Sequence, residues 1–338
     1  MSVKTINWLP VASIKTIIWL AYASAKTWNW LDFSHWSVTP VYWYFCGGSN
    51  NGSSVTNTTM LMTFSTWASA VNTASNLSHS NAWLHNTGIS DTTTYWYVAW
   101  GDAVVTADRI THSTQTTAAN TASNLSLARW YHIAHSDASA YGYWSWGYTG
   151  ANVTTTDRIV YSTSVTSAHT ASNINTARRR AIGLSDGDTY WYITGWTSSA
   201  QTANTERMTY STGAYASNTA SNLSTARDSL SSLSDKNWWY WYFFGGDSGG
   251  KTNVADRIVY STSVTSANTA SNYQANCTDM FSCSDWVAYG YSAWGYTTTS
   301  GTITCRKMTY STWVFATHTA WNLNSSRGNW AALSDFCV

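Results

Sequence analysis

Along this chain, short runs in which almost every position is bulky alternate with longer stretches of Thr, Ser, Asn and Gly. "YWYITGW", Tyr190 to Trp196, is representative: five large side chains among seven residues, and no charge. Apolar positions do not recur at the three- and four-residue intervals of an amphipathic helix. β-Branched and aromatic residues bounded by Gly, Asn and Asp predict short strands with tight turns between them. A strand that is apolar at successive positions predicts a sheet covered on both faces.

The pattern is written repeatedly. "TASN" begins at Thr73, Thr121, Thr170, Thr219 and Thr269, and "TAWN" at Thr319, at spacings of 48, 49, 49, 50 and 50 residues. A Ser-Asp pair follows at Ser90, Ser136, Ser185, Ser234, Ser284 and Ser334, and then an aromatic phrase starting at Tyr42, Tyr95, Tyr141, Tyr190, Tyr240 or Tyr289. A polar loop leads to "DRITHST" (Asp108), "DRIVYST" (Asp157, Asp256), "ERMTYST" (Glu206) or "RKMTYST" (Arg306).

Each unit therefore predicts an aromatic strand, an alternating strand, a Thr/Ser strand running through "TASNL", and a strand such as "ARRRAIGLSD". Four strands in a period near 50 predict an all-β fold, a β-propeller of four-stranded blades. The aromatic phrase then belongs between blades, where each buried ring contributes several kcal/mol at about 25 cal/mol per Å².

Residues 9–36 have the length of a further unit, with "YAS" at Tyr22 where "TAS" belongs. Seven blades in a single domain, 1–338, are the expectation. The approximate units are 9–56, 57–106, 107–156, 157–205, 206–255, 256–305 and 306–338, with 1–8 as a closing strand. Six blades with an N-terminal arm are the alternative.

The order "DRIVYST", "NLSTAR" (Asn222 to Arg227), "LSD" and an aromatic strand ending in double glycine, as at Gly47-Gly48 and Gly245-Gly246, resembles the kelch repeat. Trp100, Trp146 and Trp294 replace the first of those glycines, and Gly195-Trp196 inverts the order. The resemblance implies blade architecture more than any activity. In its Thr/Ser/Asn-rich style the chain also looks like proteins of bacteriophage particles and other surface assemblies.

Composition narrows the partners. Charged residues are 10% of the 338, the net charge is +1, and Glu206 is the only glutamate. No field draws the chain to nucleic acid or an anionic membrane, and no run reaches the ~18 to 20 apolar residues of a spanning helix. The run Arg178-Arg179-Arg180 is read as a solvated turn. "KTIIWLAYASA" (Lys15 to Ala25) has the make-up of a secretory signal but is taken as part of the mature fold, with no cleaved signal peptide. Cys46, Cys277, Cys283, Cys305 and Cys337 lack paired C-x-x-C spacing. Small buried thiols are the expectation, with a local Cys277–Cys283 bridge as the alternative.

Candidate chemistry is sparse. An acid recurring before Arg (Asp108, Asp157, Glu206, Asp256) predicts local pairing. Asp32, Asp102, Asp188, Asp228, Asp247 and Asp279 fall outside the repeat without forming a carboxylate pair by spacing. The eight irregular histidines show no metal-ligand spacing. No catalytic residue, metal or cofactor is assigned. Trp100, Trp146, Trp196 and Trp294 end their strands where loops begin, which makes them candidates for stacking on sugar rings and, as the competing reading, plugs between blades.

The expectation is a non-enzymatic structural or receptor-recognition propeller on a virion or cell surface, as a tail, fibre or decoration component. Its partners would be other structural proteins of an assembly, or surface glycans. A glycan-binding lectin using the loop-end Trp is the alternative, and an enzyme with a site over the central channel is the third reading.

Overall fold

The computed structural model describes residues 42–46, 49–50, 54–55, 57–63, 68–79, 86–101, 104–137, 139–186, 189–196, 200–235, 240–285, 288–293, 295–297, 304–318 and 331–334. All of them lie in the compact unit Thr39–Val338. They form six four-stranded antiparallel sheets and one small two-stranded ribbon, Ser49–Asn50 with Ser54–Val55.

Each large sheet is a blade whose four strands run in order from the axis outward. Blade 1 is Ala331–Ser334, Tyr42–Cys46, Thr59–Thr63 and Ala68–Val71. Blade 2 is Thr87–Ser90, Tyr95–Ala99, Ala107–Thr111 and Thr116–Ala119, and blade 3 is Ile133–Ser136, Tyr141–Tyr148, Asn152–Val160 and Val165–Ala168. Blade 4 is Ile182–Ser185, Tyr190–Thr194, Thr205–Thr209 and Ala214–Ser217. Blade 5 is Ser231–Ser234, Tyr240–Phe244, Ala255–Val259 and Val264–Ala267, and blade 6 is Phe281–Ser284, Tyr289–Ala293, Arg306–Thr309 and Val314–Thr317.

Each innermost strand touches those of the blades before and after it, and blade 6 touches blade 1, so the six close into a ring about an axis. Closure is made by the chain's last described strand, which pairs with the first: Cys46 opposes Ala331, and Trp43 opposes Ser334. This corrects the expectation of seven blades. The ring closes with the sheets between Tyr42 and Ser334, and the length of residues 9–36 was a poor guide because a propeller unit is defined by pairing as well as by length. The expected closing strand 1–8 and the alternative N-terminal arm lie outside the described residues.

The aromatic phrase is the second strand of each blade, and both its faces are covered: in blades 2, 4 and 5 the first residue is half-buried and the next four are buried. Alternate residues pack on opposite neighbours. Tyr44 and Cys46 of blade 1 meet Trp96, Val98 and Ile110 of blade 2. Tyr97 and Ala99 on the other face of that blade meet Trp144, Ile159 and Tyr161 of blade 3. Equivalent cores join Tyr143 to Trp191 and Met208, Tyr192 to Trp241 and Ile258, and Tyr242 to Met308 and Phe315.

"TASN" is not a strand. Thr73–Ser75, Thr121–Ser123, Thr170–Ser172, Thr219–Ser221 and Thr269–Ser271 are single 3-10 turns following the outer strand. The Asn after each turn accepts a third-strand N–H at its Oδ1: Thr59 N–H donates to Asn76 at 2.9 Å, Ala107 to Asn124 at 3.0 Å, Thr156 to Asn173 at 2.9 Å, Thr205 to Asn222 at 2.8 Å and Ala255 to Asn272 at 2.9 Å. The buried Ser crosses to the next blade: Ser123 Oγ donates to Ser164 O at 2.9 Å. Short polar side chains that compete for backbone partners favour such turns over a ladder.

Candidate functional site at one end of the axis

The recurring charges are consumed by the scaffold. Arg129 meets Asp157 at 2.8 Å, Arg227 meets Asp256 at 2.8 Å, and Arg178 pairs with Glu206, all nearly or fully buried. Burial lowers the pKa of Arg129 and Arg227, and the attached Asp offsets only part of that fall. The Arg after each acid faces the other way and lies over the half-buried Tyr opening the second strand: Arg109 on Tyr95 at 4.2 Å, Arg158 on Tyr141 at 4.4 Å, Arg207 on Tyr190 at 4.0 Å and Arg257 on Tyr240 at 4.4 Å; in blade 6, where Arg306 stands in place of the acid, Lys307 lies over Tyr289 at 4.2 Å. Local pairing was the expectation; the partner Arg lies 28 or 29 residues upstream.

The two ends of the axis differ in kind. Where innermost strands run into second strands, Ser-Asp forms the same turn in blades 2, 3, 4 and 6, and in blade 5 Asp235 Oδ1 accepts the Tyr240 N–H one residue further along at 2.7 Å. Asp137 Oδ1 accepts the N–H groups of Ser139, Ala140 and Tyr141 at 2.9, 2.8 and 2.9 Å. Asp91, Asp186 and Asp285 repeat the device. These carboxylates serve their own backbone.

At the opposite end the chain enters the innermost strands of blades 3 to 6 through a left-handed residue, and there the copies diverge. Tyr131 (φ 57°), Arg180 (φ 58°), Ser229 (φ 54°) and Asp279 (φ 53°) occupy the equivalent place in blades 3 to 6. Non-glycine residues occupy that region at a cost, so four in register mark a constraint of the fold. The constraint is visible: Ser229 N–H donates to Arg180 O at 3.2 Å and Asp279 N–H donates to Ser229 O at 3.0 Å, linking successive blades around the mouth.

The side chains at this mouth are chemically mixed. Arg180 is exposed, lies 5.5 Å from the Tyr131 ring, and feels Asp228 and Asp279. Burial opposes its charge, but the hydrogen-bonded Tyr131 and the two acids outweigh it and raise the guanidinium's pKa. Burial raises the carboxyls of Asp228 and Asp279, with Arg180 working against the rise in both. Asp228 and Asp247 exchange backbone hydrogen bonds at 2.9 and 2.8 Å. Beside them Arg179 lies over Tyr148 at 4.9 Å, and Tyr148 stacks on Trp130 at 5.9 Å and 16°. Lys251 lies 5.7 Å from the Tyr296 ring.

This resolves Arg178-Arg179-Arg180 as something other than a solvated turn. Arg178 is buried over Trp196 at 3.5 Å, while Arg179 and Arg180 reach back to two tyrosines of the preceding blade. Of the six non-repeating acids, Asp228, Asp247 and Asp279 come together at the mouth, though their linear spacing gave no sign of it. Trp130, Tyr131 and Ser229 were missed entirely, and Arg180 was read only as part of a solvated turn; aligning the copies would have found the position, because it is Tyr, Arg, Ser and Asp in turn.

The three described loop-end tryptophans do not form a platform. Trp100 and Trp146 are 0% exposed and Trp196 is 4% exposed. Trp100 fills the seam between blades 1 and 2, and Trp146 the seam between blades 3 and 4. A strand covered on both faces leaves its last side chain inside; Trp294 lies outside the described residues.

Cys46, Cys277, Cys283 and Cys305 are buried and none is in a disulfide, so the local Cys277–Cys283 bridge is not formed. Among the described residues no group of three His, Cys, Asp or Glu is placed to hold a metal ion, and no helix is long and apolar enough to cross a membrane. No protein-family model matches the chain, and a search of curated proteins finds no match to it.

Proposed function

We propose that this propeller is a non-enzymatic recognition module of a virion or cell surface, a rigid ring that presents the mouth formed by Tyr131, Arg180, Ser229 and Asp279 to its partner. The observation that carries the reading is the contrast between the two ends. One is a repeated set of self-satisfied turns, and the other breaks the repeat at each described copy with side chains of different chemistry. Loops on a rigid scaffold are where binding residues concentrate. The kelch-like order of the repeat and its Thr/Ser/Asn-rich style favour a tail, fibre or decoration component that works alongside other structural proteins.

Co-sedimentation of the purified protein with the particles or cells that produce it tests the reading. Arg180→Glu and Tyr131→Ala should weaken retention, while Val165→Ser on the exposed outer rim should leave it unchanged. Equal retention of all three variants would remove the mouth from recognition.

A further inference from the structure

We infer that the mouth between blades 3 and 5 is a binding site for a neutral saccharide, centred on Trp130. The inference deepens the recognition reading above and rests on it.

Three features converge. Trp130 is 37% exposed, although nearly all the other described indoles are buried, and one of its faces is held by Tyr148. Tyr148 is backed in turn by the Arg179 guanidinium, so Trp130, Tyr148 and Arg179 form a stack running from blade 3 to blade 4. Trp130 and Tyr148 are also tied through their backbones, Trp130 N–H to Tyr148 O at 2.9 Å and Tyr148 N–H to Trp130 O at 2.8 Å. The indole is thus fixed before any ligand arrives, and a pre-ordered ring lowers the entropic cost of binding. The C–H face of a pyranose is a natural partner for a ring already held from behind.

The polar groups suit hydroxyls better than an ion. Arg179, Arg180 and Lys251 are balanced by Asp228, Asp247 and Asp279. Arg180 already interacts with Tyr131, Asp228 and Asp279, so an incoming carboxylate or phosphate would compete with acids that are in place. A sugar hydroxyl both donates and accepts, and a rim that alternates guanidinium, phenol and carboxylate meets both needs. The outer strands offer nothing comparable: Val165, Val264 and Val314 are 47, 47 and 48% exposed, but a valine side chain brings neither a flat ring nor a hydrogen-bonding group.

The test is a glycan array carrying neutral hexose- and N-acetylhexosamine-terminated oligosaccharides beside sialylated and sulfated ones, followed by calorimetry with the best binder. Wild-type protein should retain a subset of the neutral oligosaccharides, and retention should survive high salt, since little of it depends on screened charge. Trp130→Ala should weaken binding about tenfold or more, Trp130→Phe should recover part of it, and Val165→Ser should leave it unchanged. Thermal melts of each variant separate lost binding from lost folding. Retention of only acidic glycans, or neutral binding indifferent to Trp130→Ala in a folded variant, overturns the inference. So does an empty array; in that case, particle retention that still depends on Arg180 would leave the recognition reading standing without the saccharide.

Discussion

The Tyr310 hydroxyl of blade 6 donates a hydrogen bond to the Ser234 carbonyl of blade 5 at 2.8 Å. The same hydroxyl lies 2.6 Å from Ser284 Oγ in its own blade. Tyr210 repeats both contacts, with Ser136 O and Ser185 Oγ each at 2.8 Å. The Tyr of "YST" and the Ser of "LSD" are thus the two halves of a staple across the seam between neighbouring innermost strands.

Tyr310→Phe keeps the ring and removes the staple, leaving a buried carbonyl and hydroxyl short of a partner. Chemical denaturation should show a loss of about 1 to 3 kcal/mol. Tyr289→Phe, at a half-buried ring under Lys307, should cost clearly less.

Arg227 and Asp256 are both 0% exposed, so removing one strands the other. Arg227→Met should cost about 3 to 5 kcal/mol, and adding Asp256→Leu should recover most of that loss. Blade 6 already lacks the pair, with Cys277 in place of the Arg and Arg306 in place of the acid. A double-mutant cycle by denaturation reads the coupling directly.

Two histidines stand where other copies have Tyr (His112) or Ile, Leu or Cys (His135). His112 replaces the staple tyrosine in blade 2 and lies 3.7 Å from the Trp96 ring, tilted by 32°, and burial lowers it from 6.5 to about 4 against the opposing pull of Asp91. His135 lies between Tyr143 at 4.7 Å and Trp191 at 4.3 Å, and burial lowers it well below 6.5. Above the unfolded value both states are neutral and stability is intact. As pH falls below 6.5 the unfolded chain takes up protons that the folded one refuses, so stability drops through the window from 6.5 to about 4. Thermal melts across that window should flatten in His112→Tyr combined with His135→Leu.

Burial raises the thiols of Cys46, Cys277 and Cys305 to about 12, 11 and 12. The thiolate is the reactive form, so the folded protein should leave these positions unlabelled by a thiol reagent at mildly alkaline pH, with full labelling after denaturation. Peptide mapping identifies which cysteines respond.

The blade was legible because its interior is written in the most distinctive residues: Trp96, Trp191 and Trp241 recur where both faces are covered. The number of blades was misjudged because "YAS" at Tyr22 matched a phrase whose meaning lies in its contacts. Seen in sequence, "TASN" suits a strand; in the fold, Asn124 Oδ1 replaces a ladder partner for Ala107 and ends the sheet. Trp146 shows a further limit. It follows an aromatic strand and precedes a loop, but a register shift between Ser145 and Gly147 with φ 47° at Trp146 accompanies its burial in the seam. Position along a strand could not reveal that. The mouth was hidden for another reason: its residues are 49, 49 and 50 positions apart, one per blade, and no local motif spans that distance.

Ring closure is tested most directly by the pairing of the last strand with the first. Ala331 lies opposite the native Cys46 on the neighbouring strand. Neighbouring antiparallel strands bring opposed Cα atoms within about 4.5 to 5.5 Å, inside the reach of a disulfide. Ala331→Cys, refolded under mild oxidation and digested for mass spectrometry, should yield an intramolecular disulfide linking position 331 to Cys46. A fully reduced product, or cross-links only between separate chains, would contradict the closed ring.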